Sequence, residues 1–141
     1  MRRLTAQRDD DEGSVLILTL GYAILAIVTV LVCVDATSLY LAQKRLDGLA
    51  DAAALAGADG FTLSIADGEA RAELESGAVR AQAEALVADV GGGETLVSAE
   101  TPDGVSARVT VAGTWHPPVL TVFVPDGVGL EATATSRTAL R

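Results

Sequence analysis

The chain contains one long stretch without a charged side chain, from Ser14 to Val34. Its 21 residues, SVLILTLGYAILAIVTVLVCV, can cross a bilayer as one helix, which needs about 20 apolar residues. A secretory signal has a shorter apolar core with a small-residue cleavage site directly after it. The first Ala-x-Ala patterns after the run lie around Ala52, too far along the chain for such a site. We therefore predict a retained transmembrane span at 14–34, preceded by a short charged cytoplasmic tail at 1–13.

The apolar pattern continues beyond the span, from Asp35 to Ala58, and no proline interrupts it. Apolar residues recur at alternating spacings of three and four, which places them on one helix face. This first stripe consists of Leu39, Ala42, Leu46, Leu49, Ala53 and Ala56. A second stripe of small residues would let another backbone approach closely, and it consists of Ala50, Ala54 and Ala58. The pattern predicts that residues 35–60 extend the spanning helix, with Ser14 as its N-cap and Gly57 and Gly60 at its end.

The remaining residues, 61–141, are predicted to form a small extracytoplasmic α+β domain. A second helix is expected from Asp67, its N-cap, to Val90. Its apolar face would carry Val79, Ala83, Leu86 and Val90. After Gly91–Gly93 the apolar period changes to two, which is typical of strands.

We expect three or four strands, within 95–100, 105–112, 119–124 and 130–135. They would form a small antiparallel sheet with one buried face. The outer half of the long helix and the second helix can cover that face. A long N-terminal helix whose outer half packs on a sheet is a pilin-like architecture, by analogy of form.

Charge and cysteine content exclude some classes of function. The formal net charge is −9, and no basic stripe is present. The chain therefore lacks the electrostatic attraction on which nucleic-acid binding depends, and we expect no nucleic-acid partner. Cys33 is the only cysteine, so a disulfide within the chain is impossible.

Basic residues on either side of the span predict its orientation. Arg2, Arg3 and Arg8 precede the span, and Lys44 and Arg45 follow it. Under the positive-inside rule this modest excess favours a cytoplasmic N-terminus and a domain outside the cell membrane. The acidic run at 9–12 counts little in that rule. It is either a solvated tail or a contact for a basic assembly protein.

The sequence offers almost no residues for catalysis. His116 is the only histidine, and it lacks nearby cysteines, histidines or paired carboxylates at metal-ligand spacing. No Gly-x-Ser-x-Gly motif accompanies it. Gly91–Gly93 end a helix, and no Lys-Ser/Thr follows them, so they do not form a phosphate loop. We expect no enzyme activity, no cofactor and no metal site.

Joined to the span, the segment VDATSLYLAQKRLDGLADAAALAGADG resembles the N-terminal segment of the Tad/Flp pilus-assembly family, in particular its TadG-like proteins. That family's pattern is a span ending in Val-Asp, an aromatic residue, a basic pair, and a Leu-rich turn before Ala-Asp-Ala-Ala-Ala-Leu-Ala-Gly. The matching positions are Val34, Asp35, Tyr40, Lys44, Arg45, Leu46 and Ala50–Gly57. The resemblance implies that Asp35, Tyr40 and Asp51 are family-motif residues. Asp51 is expected on the wet face of the helix, where it is either solvated or paired with a partner subunit.

The resemblance also raises the question of processing. Related pilins and pseudopilins are cut after a Gly by a prepilin peptidase and carry Glu at the fifth mature position. Gly13 and Ser14 are the candidate site, but the fifth residue would then be Leu18, and the preceding residues are acidic rather than basic. TadG-like members resemble retained anchors, which suits this chain better.

Three functions follow as hypotheses. The first is a membrane-anchored structural component of a Tad/Flp-type pilus assembly or secretion system, which acts through helix–helix and domain docking. The second is a processed minor pilin or pseudopilin that enters the filament. The third is an anchored extracytoplasmic binding module unrelated to pili. The expected partners are the lipid bilayer and other pilus or secretion-system membrane proteins or pilins, and the chain itself could form an oligomer.

Overall fold

Two helices and five strands form the part of the chain that the structure, a computed structural model, describes: residues 6–66 and 69–137. In chain order they are α1 (Ala6–Asp59), β1 (Thr62–Ala66), β2 (Glu69–Glu73), α2 (Ser76–Val90), β3 (Thr95–Glu100), β4 (Ser106–Trp115) and β5 (Val128–Arg137). β1 and β2 pair as an antiparallel hairpin, and β3, β4 and β5 form an antiparallel sheet with β4 in the centre. The predicted α+β class and small sheet are confirmed.

Helix α1 continues without a break from Ala6 through the apolar run to Asp59. The span and its extension therefore form one helix, as the sequence predicts. The expected start is wrong, because Ser14 lies inside the helix rather than at its N-cap. The helix already begins at Ala6. The end is close to the predicted one, and the Gly60 N–H donates to the Gly57 carbonyl at 3.2 Å.

The outer half of α1 and helix α2 lie side by side on one face of the three-stranded sheet. α1 contacts α2, β4 and β5, and α2 contacts β3. The buried residues between these elements are mostly small or β-branched. They include Leu46, Leu49, Ala50, Ala53, Ala54 and Ala58 of α1, Val79, Ala83 and Val87 of α2, and Ala99, Ala107, Val109, Val111 and Ala132 of the sheet. The core is thus built from aliphatic side chains, as the low aromatic content requires.

Gly57 marks the closest approach of α1 to its neighbours. A Cβ atom at this position would lie 2.9 Å from Val79 Cγ1 and 3.4 Å from Ala107 Cβ. Both neighbours are fully buried, so neither can move aside without disturbing the core. The alanines and this glycine let the helix backbone lie close to α2 and β4.

Three details of the outer domain differ from the sequence predictions. The expected helix from Asp67 begins only at Ser76, because residues 69–73 pair with β1 in a hairpin. Ala66 pairs with Glu69, so two residues connect the strands. Those residues are Asp-Gly in the sequence, a strong hairpin signal. Asp67 itself, the proposed N-cap, lies outside the described residues.

Helix α2 also buries a different face from the one expected near its C-terminal end. Val87 is buried and Val90 is 68% exposed, because the helix continues the four-residue spacing from Val79 through Ala83. Leu86 is partly buried against the same core.

The predicted strand at 119–124 is wrong, and this segment forms turns. β4 pairs with β3 along one edge and with β5 along the other, so its edges offer no place for a further strand. Pro117 and Pro118 also lack the N–H groups that a ladder needs.

The turn between β3 and β4 is held by Asp103. Its carboxylate accepts hydrogen bonds from the Val105 N–H at 3.1 Å, the Ser106 N–H at 2.6 Å and the Ser106 hydroxyl at 2.8 Å. The hydroxyl of Ser106 is the largest cause that holds the pKa of Asp103 below its ordinary value, and the backbone N–H groups act in the same direction. This turn lies at the end of the sheet farthest from the apolar run.

Two helical glycines provide a matched test of the core packing. We expect Gly57→Ala to lower the free energy of unfolding of the outer domain by about 1–3 kcal/mol, because the added methyl overlaps Val79. Gly48→Ala should instead raise it by up to about 1 kcal/mol, because no atom lies within 4 Å of a Cβ there and alanine favours the helix. Urea unfolding of the detergent-solubilised chain, followed by Trp115 fluorescence, measures both. Equal effects at the two positions would contradict the packing.

Candidate functional site

The point where α1 leaves its apolar run is bound to the β4–β5 connection. Asp35, the first charged residue after the run, is 6% exposed. Its Oδ1 accepts a hydrogen bond from the Val119 N–H at 3.1 Å. Its Oδ2 is also buried, and no described residue donates to it. A buried carboxylate is costly, so its place here depends on that bond to the loop.

A second bond joins the same two segments one helical turn further along. The Trp115 indole N–H donates to the Ser38 hydroxyl at 3.1 Å. Trp115 is the last residue of β4 and pairs with Val128 of β5. We use the term junction for Asp35, Ser38, Trp115 and Val119. The junction fixes the end of the sheet that lies nearest the apolar run.

The β4–β5 loop, residues 116–127, is ordered by its own hydrogen bonds. The N–H groups of Phe123 and Val124 both donate to the Leu120 carbonyl, at 2.9 and 3.1 Å, and the Thr121 hydroxyl donates to the Pro117 carbonyl. Gly127 ends the loop with φ +71°, and a Cβ there would lie 2.7 Å from the Trp115 carbonyl oxygen. Only glycine fits this return into β5.

The apolar run of α1 has no cover from the rest of the described chain over most of its length. Its large side chains are exposed, from 73% at Ile17 to 37% at Leu31. The helix is long and apolar enough to cross a membrane, by length and composition. Cys33 is exposed on this part of the helix as a free thiol.

Most residues of the two stripes predicted for helix packing are buried against the outer domain of the same chain. Leu46, Leu49 and Ala53 of the first stripe are buried, whereas Leu39, Ala42 and Ala56 are half-buried. All three members of the second stripe are buried; they are Ala50, Ala54 and Ala58. The close backbone approach that small residues allow is thus made within the chain, to α2 and β4.

The three family-motif residues lie in different surroundings. Asp35 belongs to the junction, while Tyr40 and Asp51 are exposed. Near them Lys44 Nζ lies 3.0 Å from Asp47 Oδ2 and 5.9 Å from the centre of the Tyr40 ring. The hydrogen bond to Asp47 is the largest cause that raises the pKa of Lys44, and the same bond lowers the pKa of Asp47. Both groups are solvated, so the pair contributes little to stability.

The candidate processing site lies on the exposed surface of α1. Gly13 and Ser14 are exposed, and no atom lies within 4 Å of a Cβ added at Gly13. Both are helical, so a peptidase would have to unwind this part of α1 to reach the bond between them.

Sequence reasoning missed the junction and the β4–β5 loop. Nothing in the local pattern around Asp35 points to Val119, 84 positions away. One signal was available: from Val109 to Pro125 the chain carries no Asp, Glu, Lys or Arg. In an acidic protein, a strand and loop of this length would ordinarily contain charged side chains.

Comparison with known families gives one match, which lies on the N-terminal helix. Residues 13–60 match the family model Tad, described as "Putative Flp pilus-assembly TadE/G-like". The match covers about a third of the chain and contains the apolar run, the junction's Asp35 and Ser38, and both stripes. The resemblance seen in the sequence is thereby confirmed. No curated protein and no solved structure matches the chain.

The bond between Asp35 and Val119 can be tested by amide exchange. A hydrogen bond to a charged group contributes about 1.5–3 kcal/mol. We therefore expect Asp35→Ala to accelerate exchange of the Val119 amide by at least about tenfold. Asp51→Ala, an exposed carboxylate on the same helix, serves as the control and should leave this rate unchanged. Hydrogen–deuterium exchange of the full chain in detergent measures it. An unaltered rate in Asp35→Ala would show that the bond does not hold the loop.

Proposed function

We propose that this chain is a membrane-anchored, non-catalytic structural component of a Tad/Flp-type pilus assembly or secretion system. The observation that carries the proposal is the match of residues 13–60 to the Tad pilus-assembly family model. The matched segment is the one helix that joins an exposed apolar run to the outer domain. In this proposal the helix anchors the chain and presents its domain to other subunits.

The exposure of the apolar run supports the anchoring. Along 15–34 the large side chains surround the helix on all sides, with exposures of 37–73%. A soluble monomer rarely exposes a continuous apolar surface of this extent, because removing such a surface from water is strongly favourable. A bilayer provides that environment along the length of a single helix.

The orientation follows from the charges that flank the run. Three arginines lie on its N-terminal side within a short tail, whereas Lys44 and Arg45 lie beyond it. The positive-inside rule then places the N-terminus in the cytoplasm and the domain outside.

The surface left for helix docking is the face of α1 opposite the core. Residues at spacings of three and four along this face are all exposed: Leu41, Lys44, Gly48, Asp51 and Leu55. Leu41 is 61% and Leu55 is 57% exposed, and a Cβ at Gly48 would meet open space. We call this set the outward stripe. It has two large apolar residues around a glycine and a carboxylate, a pattern suited to packing against another helix.

Gene deletion and complementation test the role in pilus assembly. We expect a strain that lacks the gene to lose surface pili and the wild-type gene to restore them. The double variant Leu41→Asp/Leu55→Asp should fail to restore them, because charges on the outward stripe oppose apolar docking. Ile65→Asp changes a side chain that is 82% exposed on the distal hairpin and should restore pili fully. Normal piliation of the deletion strain would overturn the proposal.

The mass of the mature protein separates a retained anchor from a processed pilin. We expect intact-mass spectrometry of the protein purified from membranes to show a chain that retains residues 1–13. The acidic residues before Gly13 and the Leu at position 18 both depart from the pattern of processed subunits. A chain that begins at Ser14, and its recovery in sheared filaments, would instead support a minor pilin or pseudopilin.

A further inference from the structure

We infer that the β4–β5 loop is a second membrane contact, in which Leu120, Val122 and Phe123 enter the outer interface of the bilayer beside the spanning helix. The inference rests on the proposed anchoring of α1. It goes beyond that anchoring because it gives the outer domain its own attachment to lipid and thereby a defined orientation over the membrane.

The first argument for this contact is the position of the loop relative to the apolar run of α1. Val119 donates to Asp35, the residue at which the apolar run of α1 ends. Leu120 follows directly in the chain, so its backbone lies at the same level along the helix as the end of the run. The opposite end of the sheet, at Ser106 and Arg137, is separated from Trp115 and Val128 by the full length of β4 and β5. Of the sheet's two ends, the loop therefore occupies the one nearest the bilayer.

The second argument is that the exposed side chains of the loop are apolar and that the segment carries no charged residue. Val122 is 87% exposed, Phe123 is 80% exposed and Leu120 is 38% exposed. No Asp, Glu, Lys or Arg occurs between Val109 and Pro125, although the chain as a whole has a formal charge of −9. Large apolar side chains on an uncharged segment are suited to the interface, where a carboxylate would be expensive.

Part of the loop's backbone is hydrogen-bonded within the loop itself. Polar backbone groups that enter lipid must be satisfied within the protein. The Leu120 carbonyl accepts two N–H groups, the Gly127 N–H donates to the Val124 carbonyl at 3.2 Å, and Pro117 and Pro118 have no N–H to satisfy. The N–H groups of Phe123, Val124 and Gly127 are thus paired within the loop.

The surroundings of the β4–β5 loop favour lipid over a protein as the partner of its exposed side chains. The bond from the Val119 N–H to Asp35 attaches the loop to the end of the apolar run. Leu31 lies one turn before Asp35 on the same helix face, and at 37% it is the least exposed large apolar residue of the run. A protein partner that reached the loop there would itself have to enter the interface.

A fluorophore placed on the loop tests the inference in the full chain. Cys33→Ser removes the only cysteine, and single cysteines are then introduced as Phe123→Cys, Ile65→Cys and Ile24→Cys for labelling with an environment-sensitive NBD dye. Ile65, 82% exposed on the distal hairpin, is matched to Phe123 in exposure, and Ile24 lies within the apolar run. Each labelled protein is reconstituted into phosphatidylcholine vesicles with spin-labelled lipid or with aqueous iodide. Near-UV circular dichroism confirms that each variant is folded.

We expect the dye at position 123 to have blue-shifted emission and to lose intensity with lipid spin-labelled near the headgroup, whereas iodide should quench it weakly. The dye at 65 should show the reverse, and the dye at 24 should be quenched by deep spin labels. If position 123 behaves like position 65 while position 24 is quenched by lipid, the inference fails and the anchoring stands. Protection of position 123 from iodide without lipid quenching would assign the loop to a protein contact and also overturn it. Loss of lipid quenching at 24 as well would overturn the anchoring itself.

Discussion

The close packing of the outer half of α1 against α2 and β4 is the constraint on which the rest of the structure depends. Gly57 and the buried alanines bring the helix backbone near Val79 and Ala107, so the helix forms one wall of the core. The same helix continues into the apolar run without a break. The apolar run and the domain are therefore joined by one continuous helix.

The junction is a second connection between α1 and the outer domain, in addition to the packing of the helix in the core. Asp35 and Ser38 bind Val119 and Trp115, so the near end of the sheet is attached to the helix just beyond the run. The Val119 N–H satisfies one of the two buried carboxylate oxygens of Asp35. This arrangement keeps the β4–β5 loop next to the bilayer in the proposed anchoring. It also gives a family-motif residue a role within the chain.

These contacts change how the motif residues are interpreted. Small residues every fourth position on a helix suggest a partner helix, yet Ala50, Ala54 and Ala58 are covered by the chain's own α2 and β4. In the proposed function, other subunits dock on the outward stripe and on the faces of the apolar run. The exposed position of Asp51 on that stripe agrees with a role in pairing with a partner.

The sequence by itself determined the features that depend on local periodicity: the uncharged run, its continuation as one helix, the α+β class, the strands around β3, β4 and β5, and the resemblance to the Tad segment. It also contained the Asp-Gly signal for the β1–β2 hairpin, although the helix was predicted to begin at Asp67. Only the tertiary structure decided that residues 119–124 form turns, because both edges of β4 are already paired. It alone decided that Asp35 is buried against Val119, since that contact joins positions 84 residues apart. A one-dimensional pattern reports which face of an element is apolar, whereas the surface that covers this face is set by how distant elements pack together.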